Sequence, residues 1–174
     1  QQATDGLRAT CGLFDAEIVC LDKNGRPDFK KVINRLQSTA EASIQSLSIS
    51  QPVYCYLFDC LYLDGRPIIN EPLTRRYEWL KDIVRKGTNY RLSELFDDGE
   101  ALFKAAREHN LEGVMAKKRD SIYQRGKRSS QWQKIKVRQT ADCFIIGYTR
   151  GKGDRINYFG ALHLAQKVDG KLQY

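Results

Sequence analysis

The most apolar stretches of the chain have the length and residue content of buried β-strands. Residues 13–21 (LFDAEIVCL) and 53–63 (VYCYLFDCLYL) are rich in β-branched and aromatic side chains, which favour strands. Each run is followed within a few residues by a turn-forming Asn-Gly or Asp-Gly dipeptide, as expected where a strand ends. Two shorter strands are predicted further along the chain, at EGVMAK (112–117) and WQKIKV (132–137).

Apolar residues recur at helical spacing in three other segments. Asp28 is placed to cap a helix over 29–36, and Pro72 is placed to open a second helix that ends near residue 84. A third helix is predicted over 99–109. The Ser-rich segment 38–52 lacks a clear period and predicts an exposed loop.

The pattern changes near residue 141. CFIIGY is a short apolar run, ALHLAQKV alternates as a strand does, and Asp169-Gly170 is a turn signal before KLQY. These features predict a β-meander without a helix, and its three strands are fewer than the five of a small closed barrel. We therefore predict two units, residues 1–138 and residues 139–174.

Composition excludes several classes of protein. With 41% apolar and 29% charged residues among 174, the chain has the composition of a globular protein. It has no run of eighteen apolar residues, which argues against a membrane-spanning helix and a membrane partner. Five cysteines without a C-x-x-C pair, four of them in strand-like stretches, predict buried reduced thiols. Because the chain has only two histidines, a Cys/His zinc site is not expected.

Positive charge is concentrated in one window of the sequence. Residues 115–138 hold nine basic residues and one acidic residue, so this window carries a charge of +8, equal to that of the whole chain. Tyr123 and Trp132 are interleaved with these charges, and Gly126 permits a tight turn among them. A basic segment with aromatic residues on a neutral body favours nucleic acid or nucleotide phosphate as the partner over a merely solvated face.

Five side chains, two of them within this basic window, are suited to nucleotide chemistry. Glu17 and Glu112 are carboxylates on predicted strands, and Lys134 and Lys136 lie on one face of a strand. Phe58 stands on a strand with other aromatic residues. Carboxylates hold divalent cations, lysines neutralise phosphate, and an aromatic ring stacks on a base. Each residue also has a common structural role, so the residues alone predict a phosphate-binding α/β domain directed towards nucleic acid.

Three strings, FDAEIV, YLFDCLYLDGRPIINEPLTRRYEWL and EGVMAKKRDSIYQRGKRSSQWQKIK, follow one another along the chain. In order and spacing they resemble motifs III, IIIa, IV and V of the ATP-dependent DNA ligases, the third string covering both IV and V. FIIGYTRGKGDRINYFGALHLA resembles the start of the OB-fold domain of the bacterial end-joining ligases. The resemblance covers roughly residues 13–174. It implies an α+β fold, the nucleotidyltransferase (adenylation) domain of the ATP-grasp-like DNA ligase fold, incomplete at its N-terminus and followed by the first strands of an OB-fold β-barrel.

The resemblance implies a role for each matching residue. Glu17 matches the motif III glutamate near the ribose and the catalytic metal, and Glu112 matches the metal-binding glutamate of motif IV. Phe58 matches the motif IIIa aromatic residue that stacks on adenine. Lys134 and Lys136 match the motif V lysines that contact the α-phosphate and serve catalysis. Candidates for contact with nucleic-acid phosphates are Lys117, Lys127 and Arg128.

The activity implied by the resemblance is ATP-dependent DNA ligation in repair by non-homologous end joining. In this family a lysine attacks ATP to form lysyl-AMP, AMP passes to a DNA 5′-phosphate, and a 3′-hydroxyl displaces it. The implied cofactors are ATP and a divalent cation, Mg²⁺ or Mn²⁺. The implied partners are double-stranded DNA with nicks or breaks and end-binding repair proteins, in the bacterial cytoplasm at the nucleoid.

Two departures from the family pattern qualify this expectation. Ala16 stands where motif III usually has glycine, a small change that a strand tolerates. The string K-x-D-G-x-R of motif I is absent. Residues 3–8 read A-T-D-G-L-R, but Asp5 precedes Asp15 by only ten residues, where the family leaves several dozen. We therefore expect a fragment that cannot adenylate itself. Two alternatives stay open, an RNA ligase or capping-type nucleotidyltransferase and a non-catalytic DNA-binding remnant.

Overall fold

A computed structural model describes residues 6–127, 129–138 and 140–174. The chain has the mixed α+β architecture predicted for it. The strands are β1 (Gly12–Cys20), β2 (Val53–Leu63), β3 (Arg66–Pro67), β4 (Tyr90–Leu92), β5 (Gly113–Lys117), β6 (Trp132–Lys136), β7 (Phe144–Arg150), β8 (Phe159–Val168) and β9 (Lys171–Gln173). The α-helices are α1 (Phe29–Gln37), α2 (Glu41–Ser50), α3 (Leu73–Ile83) and α4 (Gly99–Glu108).

The long predicted elements are confirmed, whereas the predicted loop over 38–52 is wrong because it contains α2. Serine is only mildly unfavourable inside a helix. In α2 the Ser48 hydroxyl donates to the Gln45 carbonyl at 2.7 Å, and the Ser50 hydroxyl donates to the Ser46 carbonyl at 2.9 Å. The helix buries no residue, as is also true of α1, but its sequence lacks the apolar period that marks α1 and the other helices.

The main sheet has β2 at its centre. Strand β1 pairs with it antiparallel along its length, β3 pairs antiparallel near its end, and β4 pairs parallel to it. Asp15 pairs with Asp59 and Ala16 pairs with Leu57, so Phe58 is the extra residue of a β-bulge. Bulges re-aim side chains locally, and this one lies at the predicted base-stacking residue.

The core of this part of the chain lies between β2 and α3. Leu57 and Cys60 of β2 form a buried cluster with Ile68, Leu80 and Ile83. Pro72 precedes the first turn of α3, a position that suits its fixed φ angle and missing N–H. Packing against α3 buries one face of β2 and leaves the Phe58 side of the strand for other contacts.

Strands β5 and β6 form a separate antiparallel pair whose register depends on Gly113. This residue pairs with Lys136 at φ +152°, and a Cβ atom added to it would lie 2.1 Å from the Ile135 carbonyl oxygen. The end of a flexible side chain could move away from such a contact, but a backbone carbonyl in a paired strand cannot move without disturbing the strand. The pair therefore tolerates only glycine at its first position.

We expect Gly113→Ala to lower the free energy of unfolding by about 2 to 3 kcal/mol, since overpacking against backbone forces the strands apart. Urea denaturation followed by circular dichroism measures this change. Gly99→Ala is the matched control, because a Cβ at Gly99 meets nothing within 4 Å. Equal stability of the two variants would contradict the close approach of β5 and β6.

Strands β7, β8 and β9 form the third sheet, a meander of the three strands that the sequence predicts. A 3₁₀ turn at Gly153–Arg155 lies in the connection between β7 and β8, and the described residues after 138 contain no α-helix. Apolar residues on both faces of the sheet are exposed, among them Ile145 and Leu172. The proposed boundary between residues 138 and 139 stays a prediction.

The five cysteines are free thiols, as predicted. Cys20 and Cys60 are buried and Cys55 is half-buried. Cys11 and Cys143 are exposed, contrary to the prediction of buried thiols. Cys143 is exposed because it precedes β7 and that strand is itself largely exposed. In the part of the chain that the structure describes, no helix combines the length and apolar content needed to cross a membrane.

Candidate active site

An aromatic cluster joins β2 to the β5–β6 pair. The ring centroids of Phe58 and Trp132 are 6.2 Å apart with their planes at 68°, which is an edge contact. Tyr123 makes a second edge contact with Trp132 at 6.3 Å. The Nζ atom of Lys117 lies 4.3 Å from the Phe58 centroid and 4.1 Å from the Trp132 centroid. The predicted adenine platform is thus part of a cluster with three side chains from the basic window.

The surroundings of Lys117 disfavour its charged form relative to water. Burial lowers the pKa of its ammonium to about 8, and the carboxylates of Asp59 and Asp15 oppose this shift. Loss of water disfavours the charged form, while the faces of two aromatic rings stabilise a cation. Lys117 is therefore held between rings at the edge of the core. The DNA contact predicted for it stays a prediction that would require the ammonium to leave these rings.

A buried ion pair lies directly behind Phe58. Arg76 of α3 donates from Nε to Asp59 Oδ1 at 2.7 Å and from Nη2 to Oδ2 at 2.8 Å, and both side chains are 0% exposed. The third guanidinium nitrogen, Nη1, donates to the Ser121 carbonyl at 3.0 Å and to the Glu71 carbonyl. A buried charge pair needs such additional hydrogen bonds to offset the loss of water. The pair connects β2 and α3 to the loop between β5 and β6.

That loop is fixed further at Ser121. The backbone N–H of Leu73 donates to the Ser121 carbonyl at 2.9 Å, and the Trp132 Nε1–H donates to the Ser121 hydroxyl at 3.1 Å. Ser121 is only 2% exposed. A single buried serine therefore contacts both the ion pair behind Phe58 and the indole beside it.

A carboxylate and two lysines converge at the start of β5 and the end of β6. Glu112 Oε1 lies 2.7 Å from Lys134 Nζ and 3.8 Å from Lys136 Nζ. The hydrogen bond from Lys134 holds the pKa of the Glu112 carboxyl below its usual value, and Lys136 adds to the effect. All three side chains are largely exposed, so water or an anion can reach them. The structure thus brings together three of the predicted site residues.

A cavity of about 610 Å³ connects the lysines to the aromatic cluster. Three lysines line the cavity, Lys127, Lys134 and Lys136, together with Asp15 and Tyr123. The Tyr123 hydroxyl donates to Asp15 Oδ2 at 2.6 Å, and this hydrogen bond raises the pKa of Tyr123 to about 12. The cavity wall therefore carries three lysine side chains against one carboxylate, that of Asp15, and this excess of positive charge favours a small anion.

Among the residues that the structure describes, Glu17 is not joined to this group by a contact. Glu17 is exposed on β1, where it pairs in register with Tyr56. Arg128 lies outside the described residues, as does the start of the A-T-D-G-L-R string. Across residues 6–127, 129–138 and 140–174, no three His, Cys, Asp or Glu side chains form a group that could hold a metal ion.

Several charges of the basic window are already paired. Lys118 contacts Asp120 at 3.5 Å, Arg119 contacts Asp97, and both motif V lysines contact a single glutamate. Surface pairs of this kind are weak, so phosphate oxygens can replace the carboxylates. The paired basic residues of the window can exchange their carboxylate partners for phosphate groups. Because of these pairs, the window attracts a polyanion less strongly than its formal charge of +8 suggests.

Sequence reasoning missed Arg76 and Ser121. A signal for Arg76 was present, since it lies three residues after Leu73 and four before Leu80, on the apolar stripe of α3. A charged residue on a buried stripe demands a buried partner. Ser121 carried no such signal, because its role depends on a loop whose path is set by contacts distant in sequence.

Comparison with known proteins gives a consistent result. The family model described as "ATP dependent DNA ligase domain" matches residues 5–136. The DNA ligase of Thermococcus onnurineus is 31% identical over 175 residues, covering 94% of this chain and 31% of that protein. The multifunctional non-homologous end joining protein LigD of Mycolicibacterium smegmatis is 36% identical over 162 residues, covering 93% of this chain and 20% of that protein.

Solved structures agree with the sequence comparison. A mycobacterial DNA ligase D complexed with ATP and MES superposes with a TM-score of 0.60 at 32% identity, over 93% of this chain and 48% of that one. The ligase domain of M. tuberculosis LigD gives a TM-score of 0.56 at 32% identity, over 92% of this chain and 48% of that one. The chain thus spans less than a third of the length of these curated relatives and about half of each solved chain.

Proposed function

Because this chain belongs to the family of ATP-dependent DNA ligase domains, we propose that it carries nucleotide and phosphate chemistry for an enzyme that seals breaks in DNA. The observation that supports this most directly is the convergence of Glu112, Lys134 and Lys136. Both lysines line a cavity together with Trp132, whose ring contacts Phe58. The likeness to LigD proteins favours bacterial non-homologous end joining as the repair route. End-binding repair proteins would then be its partners, at the nucleoid in the cytoplasm.

The two lysines are the proposed catalytic groups. In ligation each step displaces one group at a phosphorus atom, and negative charge on the phosphate oxygens must be neutralised as the bonds change. Lys134 and Lys136 extend from one face of β6 into the same cavity, so both ammonium groups can reach one phosphate. Since Lys134 is paired with Glu112 in the free chain, an α-phosphate would have to displace that carboxylate.

The last step illustrates the chemistry. The 3′-hydroxyl oxygen of one DNA strand forms a bond to the phosphorus of the adenylated 5′-phosphate, the phosphoanhydride bond breaks, and AMP leaves with the bonding electrons while the hydroxyl proton passes to solvent. Preorganised cations near that phosphorus stabilise the charge that develops in the transition state, and this electrostatic effect commonly contributes most to the rate. Lys134 and Lys136 are placed to provide it.

Glu17 and Glu112 are the proposed ligands of a divalent cation, Mg²⁺ or Mn²⁺. Both are exposed carboxylates, the hard oxygen donors that such cations prefer, and Mg²⁺ commonly takes one or two protein carboxylates together with water and substrate phosphates. The residues therefore fit a cation shared with the substrate. When bound, it would neutralise charge on the phosphate.

The base and the nucleic acid complete the proposal. Phe58, half-buried at the bulge of β2, would stack on adenine. Lys127 lines the cavity beside the two lysines and would contact a DNA phosphate, together with Arg128 and Lys117. Contacts of this type give affinity without sequence preference and weaken as salt rises.

We expect the chain to seal a nicked DNA duplex that already carries AMP on its 5′-phosphate, because this step does not need the lysine of motif I. With ATP radiolabelled in the α-phosphate we expect no covalent label on the chain. Gel electrophoresis of the DNA and of the protein gives both readouts.

Each contrary result identifies an alternative. Covalent AMP on the chain would show that a nucleophilic lysine is present. Sealing restricted to nicked RNA would favour an RNA ligase. Duplex binding without any sealing, unchanged by Glu17→Ala and Glu112→Ala, would favour a non-catalytic DNA-binding protein.

A further inference from the structure

We propose that Trp132 and Ser121 are positioning residues for the Phe58 base platform, and that the hydrogen bond between them sets the affinity for the adenine part of the nucleotide. The inference rests on the proposed function, since it assumes that Phe58 stacks on the base. It adds a determinant that lies outside the groups touching the phosphates.

The inference rests on a series of contacts that begins at the residue next to Phe58 and returns to the Phe58 ring. Its chain neighbour Asp59 is paired with Arg76 at 2.7 and 2.8 Å. Arg76 donates to the carbonyl of Ser121 at 3.0 Å, and the hydroxyl of Ser121 accepts from Trp132 at 3.1 Å. The indole of Trp132 returns to the Phe58 ring through the edge contact at 6.2 Å.

Phe58 needs support from this side because the core does not provide it. The core cluster holds Leu57 and Cys60 of the same strand but not Phe58. As the extra residue of a bulge, Phe58 also lies outside the regular cross-strand pairing that fixes its neighbours. The orientation of its ring therefore depends on the indole and on the Lys117 ammonium above it.

The Ser121 hydroxyl is the contact that decides the orientation of the indole. An indole N–H turned towards a protein interior requires an acceptor, and Ser121 is 2% exposed. Without that acceptor, the indole would rotate towards water to satisfy its N–H. Such a rotation breaks the edge contact with Phe58, and the base loses a fixed surface on which to stack.

The test compares two ligands that share phosphates but differ in the base. Isothermal titration calorimetry measures the affinity of the 174-residue chain for ATP and for pyrophosphate. We expect Ser121→Ala and Trp132→Phe each to weaken ATP binding by about five- to tenfold, the loss of one hydrogen bond, and to leave pyrophosphate affinity within about twofold. Because both substitutions remove the same hydrogen bond, the double variant should be no weaker than either single one.

Trp79→Phe provides the matched control. Trp79 lies under Arg75 on α3, 5.2 Å from its guanidinium, and should not affect either ligand. It also leaves Trp132 as the sole tryptophan, so that its emission reports the indole environment. In this background we expect Ser121→Ala to shift the emission to longer wavelength as the indole becomes wetter.

Three outcomes would overturn the inference. If the unmodified chain binds ATP and the variants bind it equally well, the inference fails and the proposed function stands. If the variants weaken ATP and pyrophosphate alike, Ser121 and Trp132 have only a structural role, and the inference fails. If the unmodified chain does not bind ATP, the proposed function fails and the inference fails with it.

Discussion

Replacement of Arg76 by methionine is expected to lower the free energy of unfolding by about 3 to 5 kcal/mol, the usual cost of leaving a buried charge without its partner. The substitution preserves most of the side-chain volume but removes every donor to Asp59 that the arginine supplies. The Asp59 carboxylate, 0% exposed, would keep the hydrogen bond from the Cys60 N–H. Thermal and urea unfolding followed by circular dichroism measure the loss, which is large against the roughly 5 to 15 kcal/mol typical of a domain.

The adjacent residue provides the control for this prediction. Arg75 precedes Arg76 on α3 and pairs with Glu78 at 3.0 Å, but those two side chains are 59% and 60% exposed. Arg75→Met should therefore cost less than about 1 kcal/mol. A similar small cost for both variants would mean that Asp59 and Arg76 are not buried as a pair.

A double substitution separates the charge from the packing. Asp59→Leu with Arg76→Leu removes both charges and should recover part of the stability lost in Arg76→Met, because apolar replacements of a buried pair are often neutral. The Glu71 and Ser121 carbonyls would still lose a donor each. Recovery is therefore expected to be incomplete.

Lys134→Ala is expected to slow the sealing of a pre-adenylated nick by about a hundredfold or more, the effect typical of removing one preorganised donor from a developing charge. The side chain is 45% exposed and forms its ion pair with Glu112, which is also exposed. Stability should therefore change by less than about 1 kcal/mol. Single-turnover kinetics with the adenylated DNA in a fixed buffer isolates this step from binding of ATP.

Lys118→Ala serves as the matched control for Lys134. It also lies in the basic window and pairs with an acidic neighbour, Asp120, at 3.5 Å. Among the described residues, it is not one of those that line the cavity holding Lys134 and Lys136. If both substitutions slow sealing equally, the effect reflects the general positive charge of the window, and the catalytic role proposed for Lys134 fails.

Much of the fold could be predicted because its information is local. Short runs of consecutive residues are enough to predict β1, β2, α1, α3 and α4 from the spacing of their apolar side chains. The predicted cap of α1 is also confirmed, because the Asp28 side chain accepts a hydrogen bond from the Lys31 N–H at 3.2 Å. Helix α2 escaped prediction because its sequence, EASIQSLSIS, has no helical apolar period, whereas α1, which also buries no residue, has one. Strands β3 and β4, with two and three residues, are too short to display any period.

The candidate site was predictable in its residue types and only partly in its contacts. The alternation of Lys134 and Lys136 placed both on one face of a strand, and the ion pairs with Glu112 agree with that placement. The pairing of Glu112 with these lysines was not anticipated, since it depends on the antiparallel register of β5 and β6. Glu17 could be placed on a strand, but its roles in binding ribose and metal stay predictions.

The sequence by itself determined which candidate site residues are present and in what order, the main strands and helices, and the resemblance to ligases. Each of these depends on residues that are close together along the chain. Only the tertiary structure decided that Arg76 contacts Asp59 and Ser121, which are 17 and 45 positions away, and that Lys117 lies between two rings. Such contacts depend on how separate elements pack and on which polar groups lose water together. No local pattern encodes that outcome, since it is a property of the assembled chain.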